Sequence, residues 1–209
     1  MEQKNQIGLS TGRIEAFTDG VIAVAITLLI LEIKVPHIEY GGSLWQALVP
    51  LWPKFLAYAV SFGIIGIFWA GHHIMFHYIK RTDRTLLWLN NLLLMFVCAI
   101  PFSAAFVGEH LNETTAIVFY GAVLFLAGLM FTIIWQYASR HHRLLSPTLP
   151  KEMVRLGTLA VAIAPIIYAL AILMAFVNPN ISKGIYLLVP ILYIIPSPID
   201  KLVHFKDSE

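Results

Sequence analysis

The chain has 209 residues, of which 58% are hydrophobic and only 12% are charged, against about 25% charged residues in typical soluble domains. A soluble fold of this size could not hide so much apolar surface, because a small protein leaves much of its chain facing water. The net charge of +2 gives no indication of nucleic-acid binding. The single Cys98 excludes an internal disulfide framework. The composition therefore predicts an integral membrane protein.

Six apolar stretches are long enough to cross the roughly 30 Å hydrocarbon core as helices. They cover residues 17–35, 47–78, 86–107, 114–139, 154–177 and 181–199. No small-residue cleavage site follows the first stretch, so we expect it to be retained and not removed as a signal peptide. The last stretch contains Pro190, Pro196 and Pro198, which disfavour a regular helix. The pattern predicts an all-α fold, with six transmembrane helices in a single domain.

Basic residues indicate the orientation of this bundle. If the spans alternate in direction, eleven of the 14 Lys and Arg residues fall on one side, and the other side holds Lys34, Lys54 and Lys183. Loops rich in Lys and Arg stay in the cytoplasm. We therefore predict that both termini are cytoplasmic.

Asp19 is an ionisable residue near the start of the first span. A carboxylate in the first turn of a helix complements the helix dipole, which is the commoner reason for such a residue. Ionisable residues within spans can also relay protons. This second interpretation predicts a proton-coupled transporter that uses Asp19, although the repeated halves of many transporters are not evident in this sequence.

One face of the first span is almost entirely aliphatic. At about 100° per residue, Asp19 points about 140° away from Val24. Val24 lies on a stripe that contains Gly20, Val24, Thr27, Leu28, Leu31 and Val35. Such a stripe suits lipid, with the Thr27 hydroxyl bonded to the carbonyl four residues earlier. Periodicity alone does not show that it lines a pore.

A histidine cluster lies near the end of the second span. His73 and His77 are four residues apart, the spacing of a metal-ligand pair on a helix, and His72 lies beside them. His141 and His142 follow the fourth span on the same side of the membrane. These residues leave open a metal-dependent membrane enzyme. Interfacial histidines, however, are more often hydrogen-bonded than metal-bound, and this cluster lacks nearby carboxylates to orient it.

Two motifs resemble the transmembrane protein 175 family, whose animal member is the lysosomal potassium channel and whose bacterial relatives are short six-helix chains. The first motif resembles the family's Arg-x-x-x-Phe-Ser-Asp signature and consists of Arg13, Phe17, Thr18 and Asp19. The second follows in the next two spans, at Trp69, His72, His73, His77, Asn90, Asn91, Pro101 and Phe102. The resemblance covers about the first half of the chain. Thr18 replaces the usual Ser but keeps the hydroxyl.

The resemblance implies a potassium-permeable cation channel and not an enzyme. It implies a homotetramer in the lipid bilayer of the bacterial inner membrane, without a bound cofactor or metal, that conducts monovalent cations along a central axis lined by the first helix. Rings of Val24, Leu28 and Leu31 would form a hydrophobic constriction, with permeant potassium near the hydroxyl of Thr27. A narrow apolar ring gates by dewetting. Glu32 would lie at the extracellular mouth and attract cations, and Lys34 would oppose it.

The resemblance also suggests a structural network that fixes the first helix against the second and third. Its predicted members are Arg13, Phe17, Thr18, Asp19, Trp69, His73 or His77, and Asn90 or Asn91. Removing one partner from a buried charged network is strongly destabilising, because the other partner is left unpaired.

Overall fold

The computed structural model describes residues 11–38 and 40–194. Within these residues the helices are α1 Thr11–Leu31, α2 Leu44–Leu48, α3 Trp52–Tyr78, α4 Arg84–Glu109, α5 Thr114–Ser139, α6 Lys151–Val177 and α7 Pro179–Ile194. The same residues form no strand beyond an isolated antiparallel bridge between Ile79 and Leu145. The predicted all-α class is confirmed.

Five helical segments are long and apolar enough to cross a membrane. They are α1, α3 with the short helical turns before it, α4, α5 with the turn that follows it, and α6. The sixth long helix, α7, is described over 16 residues. Positions 195–199 of the sixth predicted span, with Pro196 and Pro198, lie outside the described residues. The chain is a multi-pass membrane protein.

The second predicted span, residues 47–78, is divided in the structure. The short helix α2 runs into a 3-10 turn at Val49–Leu51, and α3 begins only at Trp52. Pro50 and Pro53 account for this division, because each lacks a backbone N–H and proline fits best in the first turn of a helix.

The first helix begins earlier and ends earlier than the predicted span 17–35. The polar residues from Thr11 add turns at its start, and the helix stops at Leu31. Beyond that point Ile33 N–H donates to the Ile30 carbonyl at 3.1 Å, which closes a final turn. Val35 lies outside the helix and is exposed, so it does not continue the aliphatic stripe.

The bundle is centred on α4 and α5. On one side α1 packs against α3 and α4, and on the other side α6 and α7 pack against each other and against α5. Two prolines lie over glycines of neighbouring helices. A Cβ on Gly63 of α3 would lie 2.9 Å from Pro190 of α7, and one on Gly128 of α5 would lie 3.2 Å from Pro165 of α6. Close approach at small residues is typical of membrane helices and accommodates the prolines.

One end of the bundle, which we call the basic end, contains most of the described basic residues. Here Asp83 joins the start of α4 to the end of α5. Its Oδ1 accepts a hydrogen bond from Leu86 N at 2.9 Å. Its Oδ2 accepts one from the Tyr137 hydroxyl at 2.7 Å and pairs with Arg143 at 3.3 Å. Partial burial raises the pKa of the Asp83 carboxyl, but the contacts with Leu86, Tyr137 and Arg143 outweigh it and lower the pKa below 3.8.

We expect Asp83→Ala to reduce the free energy of unfolding by about 2 kcal/mol, because it removes a helix cap and a charged hydrogen bond together. Thermal melting of the purified protein in detergent measures the change. Glu113 is a matched control, since it occupies the N-cap position of α5 without a side-chain cap bond. Glu113→Ala should melt close to wild type, and equal losses in both variants would contradict the role assigned to Asp83.

The contribution of Asp83 to the free energy of unfolding should also depend on pH. Its folded-state pKa is lowered, so the stabilisation is complete above 3.8 and is lost as the pH falls through the lowered folded value. The difference in melting temperature between wild type and Asp83→Asn should therefore be largest near neutral pH and shrink in strong acid. A difference that stays constant in strong acid would show that the carboxylate charge is not its source.

Candidate functional site

The aliphatic stripe of α1 is left largely uncovered by the other residues that the structure describes. Val24 is 57% exposed, Leu28 43% and Leu31 60%. Thr27 is exposed as well, and its hydroxyl lies 3.0 Å from the Ala23 carbonyl and 2.9 Å from the Val24 carbonyl. The opposite face is buried against α3 and α4 through Ile14, Thr18, Ile22, Ala25 and Leu29. About half of the helix surface is therefore left exposed by residues 11–38 and 40–194 of the subunit.

The exposed half of α1 has two flanks, which differ in the size of their side chains. At about 100° per residue, the small flank contains Ala16, Gly20 and Ala23, and the large flank contains Phe17, Val24, Leu28 and Leu31, with Thr27 at the border between them. Nothing lies within 4 Å of a Cβ placed on Gly20. Small residues at three- and four-residue spacing let helix backbones approach closely in membranes. The small flank is therefore suited to helix packing, whereas the large flank presents aliphatic side chains.

A buried polar chain attaches α1 to the bundle. Asn90 of α4 donates through Nδ2 to the Thr18 hydroxyl at 2.9 Å. Its Oδ1 lies 3.0 Å from Nε2 of His72 on α3. Because that oxygen can only accept, Nε2 of His72 must carry the donated proton. All three side chains are buried, so one hydrogen-bonded path crosses three helices.

A second polar contact lies at the exposed seam between α1 and α3. The Asp19 carboxylate accepts a hydrogen bond from Nε1 of Trp69 at 2.9 Å. The Trp69 ring stacks on His73, with 6.3 Å between the ring centroids. Asp19 therefore points towards α3, away from the aliphatic stripe, as its helical angle predicts.

The histidine that contacts Asn90 is His72, whereas the sequence analysis placed His73 or His77 in the network. His72 lies on the buried face of α3 and stacks on Phe76 at 4.2 Å between centroids. His73 and His77 share the exposed face of Trp69. The sequence contains a signal that distinguishes them, because three of the four residues at three and four positions from His72 are the apolar Phe68, Met75 and Phe76, and only the fourth, Trp69, has a polar group.

Three other predicted network members lie on the surface of the subunit. Arg13 is exposed and forms no hydrogen bond or ion pair with another described residue. Phe17 and Asn91 are exposed too, and the amide that joins α1 to α3 is that of Asn90. A single subunit thus brings together Thr18, Asn90 and His72 in one group and Asp19, Trp69 and His73 in another.

The histidines considered as metal ligands do not form a common site. His141 and His142 form the turn after α5 and both have left-handed backbones, with φ of 55° and 51°. Over residues 11–38 and 40–194, no group of three His, Cys, Asp or Glu side chains is placed to hold a metal ion. The buried position of His72 separates it from the exposed His73 and His77.

Comparisons with known proteins show the family and the fold of this chain. Residues 13–101 match the family described as endosomal/lysosomal potassium channel TMEM175. A Streptomyces collinus protein named as a potassium channel is 40% identical over 187 residues, which cover 88% of this chain and 91% of that protein. A rat protein named endosomal/lysosomal proton channel TMEM175 is 35% identical over 147 residues, or 65% of this chain and 30% of its own length.

A solved structure has the same fold. It is the crystal structure of a lysosomal potassium-selective channel TMEM175 homolog from Chamaesiphon minutus. The two chains superpose with a TM-score of 0.79 at 34% identity, covering 88% of this chain and 96% of that one. These relatives are named as ion channels and not as enzymes. The extent of identity to the Streptomyces protein shows that this chain belongs to the TMEM175 family.

Proposed function

We propose that this chain is the subunit of a potassium-permeable channel in which α1 helices from several copies line the conduction path. The observation that carries the proposal is the uncovered half of α1, in a helix whose other half is firmly attached to α3 and α4. One six-helix chain cannot enclose an axis with a single helix, so several copies are needed, and we propose a homotetramer. The names of the bacterial relatives support potassium as the permeant ion.

In this assembly the large flank of α1 faces the axis and forms the constriction. Val24, Leu28 and Leu31 are spaced at i, i+4 and i+7, so at 1.5 Å per residue their rings extend over about 10 Å of the path. An ion in such rings loses water without receiving charged replacements, so the rings oppose conduction until they widen. The Thr27 hydroxyl donates to its own backbone, which leaves its oxygen lone pairs free to contact a permeant potassium ion.

The small flank of α1 then faces a neighbouring subunit. The Cβ of Ala16, the bare Cα of Gly20 and the Cβ of Ala23 allow a close helix–helix contact. Arg13, Phe17 and Asn91, which the single subunit leaves exposed, would complete their contacts elsewhere in the assembly. The two flanks thus divide the exposed half between subunit association and conduction.

We further propose that the basic end and both termini face the cytoplasm of a bacterial cell, as the Lys and Arg distribution indicates. The described residues at that end are Arg13, Lys80, Arg81, Arg84, Arg140, Arg143, Lys151 and Arg155. The far end then contains Lys34, Lys54 and Lys183. No cofactor or nucleic acid is required, and the partners are other copies, lipid and monovalent cations.

A proton-coupled transporter has less support. A relay needs successive ionisable groups across the membrane, and α1 has none between Asp19 and its end at Leu31. The Asp19 carboxylate is held by Trp69. The name of the rat relative nevertheless makes proton flux worth measuring beside potassium flux.

The constriction predicts that Val24→Ala and Leu28→Asn increase potassium flux into proteoliposomes. Smaller or hydrated rings lower the dehydration barrier, and each 1.4 kcal/mol removed corresponds to about a tenfold increase in flux. Proton flux is followed in the same vesicles with a pH-sensitive dye.

The matched controls lie at similar depths on α6, which packs against α5 and α7. Leu170 and Leu173 are exposed there, and Leu170→Ala and Leu173→Asn should leave the flux unchanged. Unchanged flux in both α1 variants would place the path elsewhere. Equal increases in the α6 variants would indicate a general leak and not a constriction.

The attachment of α1 predicts that Asn90→Ala reduces the fraction of assembled oligomer, measured by size-exclusion chromatography with light scattering. The loss of this amide leaves Thr18 and His72 without partners in an apolar interior, at a cost of about 1–3 kcal/mol. Asn180→Ala, an exposed asparagine on α7 at the far end, is the control.

Two substitutions of Asp19 distinguish a role in attaching α1 to α3 from a role in proton transfer. Asp19→Ala should impair assembly, because Trp69 loses its acceptor, whereas Asp19→Asn keeps an acceptor oxygen and should assemble and conduct potassium like wild type. Flux that is abolished in Asp19→Asn while the oligomer stays intact would favour the transporter.

A further inference from the structure

Lys34 places a positive charge at the far end of α1. Its ammonium Nζ donates to the Leu31 carbonyl at 2.9 Å. Carbonyls at a helix C-terminus have a partial negative charge and no partner within the helix, so they hold a lysine favourably. Leu31 is the last residue of the exposed aliphatic flank. The ammonium is therefore fixed beside the residue that ends the proposed pore lining.

The neighbouring acid lies in a different environment. Glu32 is half-buried and lines a crevice between α1, α3 and α4 that also includes Leu29, Lys54 and Tyr58. In the same region Lys54 pairs with Glu109 at 2.7 Å. Glu32 thus lies on the side of α1 that faces its own subunit, whereas Lys34 is exposed. Lys34 is therefore better placed to repel cations at the mouth than Glu32 is to attract them.

We propose that Lys34 from each copy forms a ring of positive charge at the far mouth of the conduction path and limits the access of cations from that side. This inference rests on the proposed function, since it requires α1 to surround the axis. The ring lowers the local cation concentration through its field, without binding the ion.

The size of the effect follows from helix geometry. Helices pack 8–10 Å apart, so four α1 helices place each helix axis about 6–7 Å from the centre and each ammonium about 8 Å from it. This distance is within the Debye length of about 10 Å at 0.1 M salt. Four such charges reduce the cation concentration at the mouth about fivefold at 0.1 M, but by less than about 1.5-fold at 1 M, where the Debye length is about 3 Å.

The test compares potassium currents of the full-length channel in planar bilayers. Lys34→Gln should increase the current about fivefold at 0.1 M salt and very little at 1 M. Lys34→Glu should increase it further, and Lys34→Arg should behave like wild type. Lys183→Gln is the matched control, because Lys183 lies on α7 at the same end and contacts Asn112 at 3.5 Å. It should leave the current unchanged.

Adding salt to one side of the bilayer at a time tests at which mouth Lys34 acts. Raising the ionic strength with an impermeant salt on the far side alone should remove the difference between wild type and Lys34→Gln, whereas the same salt on the basic side should preserve it.

Three results would overturn the role of Lys34. They are an unchanged current in Lys34→Gln at low salt, an increase that persists at 1 M, and an equal increase in Lys183→Gln. The constriction variants make the two proposals distinguishable. If Val24→Ala raises the current and Lys34→Gln does not, α1 lines the path and the charged ring is wrong. If neither variant changes it, the proposed path itself is wrong.

Discussion

The orientation of α1 depends on one asparagine side chain in an apolar bundle. Apolar contacts are non-directional, so they would let α1 rotate or slide against α3 and α4 at modest cost. An amide without partners in a membrane interior costs several kcal/mol. Asn90 meets this requirement by bonding His72 on one side and the Thr18 hydroxyl on the other. These two hydrogen bonds therefore select one rotation and one register for the whole helix.

That rotation decides what the subunit presents to its surroundings. With Thr18 turned inward, Val24, Leu28 and Leu31 must turn outward, because they lie on the opposite half of the helix. In the proposed assembly, the same constraint turns Gly20 and Ala23 towards a neighbouring copy. A polar contact near one end of α1 would thus set both the proposed association surface and the proposed conduction surface. The two groups of residues differ in role but share one cause.

The sequence predicts features that depend on length and period, and it predicts less well those that depend on rotation or on other chains. Bilayer thickness fixes the length of the spans, and the period of a straight helix correctly places Asp19 and Val24 on different faces of α1. The choice of His72 over His73 required the rotation of α3, which its apolar neighbours at three- and four-residue spacing reveal. The division at Pro50 and the early end at Leu31 depend on local hydrogen bonds. A role for the exposed Arg13 would depend on contacts with other copies, which a single subunit does not contain.

Within the proposed channel, the preference for cations must come from a small part of α1. A dewetted ring of Val24 or Leu28 opposes anions and cations alike, because it offers neither charge nor dipole. A ring of Lys34 would favour anions at the far mouth. Among the side chains that the large flank and its border present to the axis, only the Thr27 oxygen offers lone pairs to a positive ion. Thr27 lies one residue before Leu28 and three after Val24, so its oxygen would contact the ion where dehydration is most costly. The preference for cations and the barrier to conduction would thus arise within the same turn of α1.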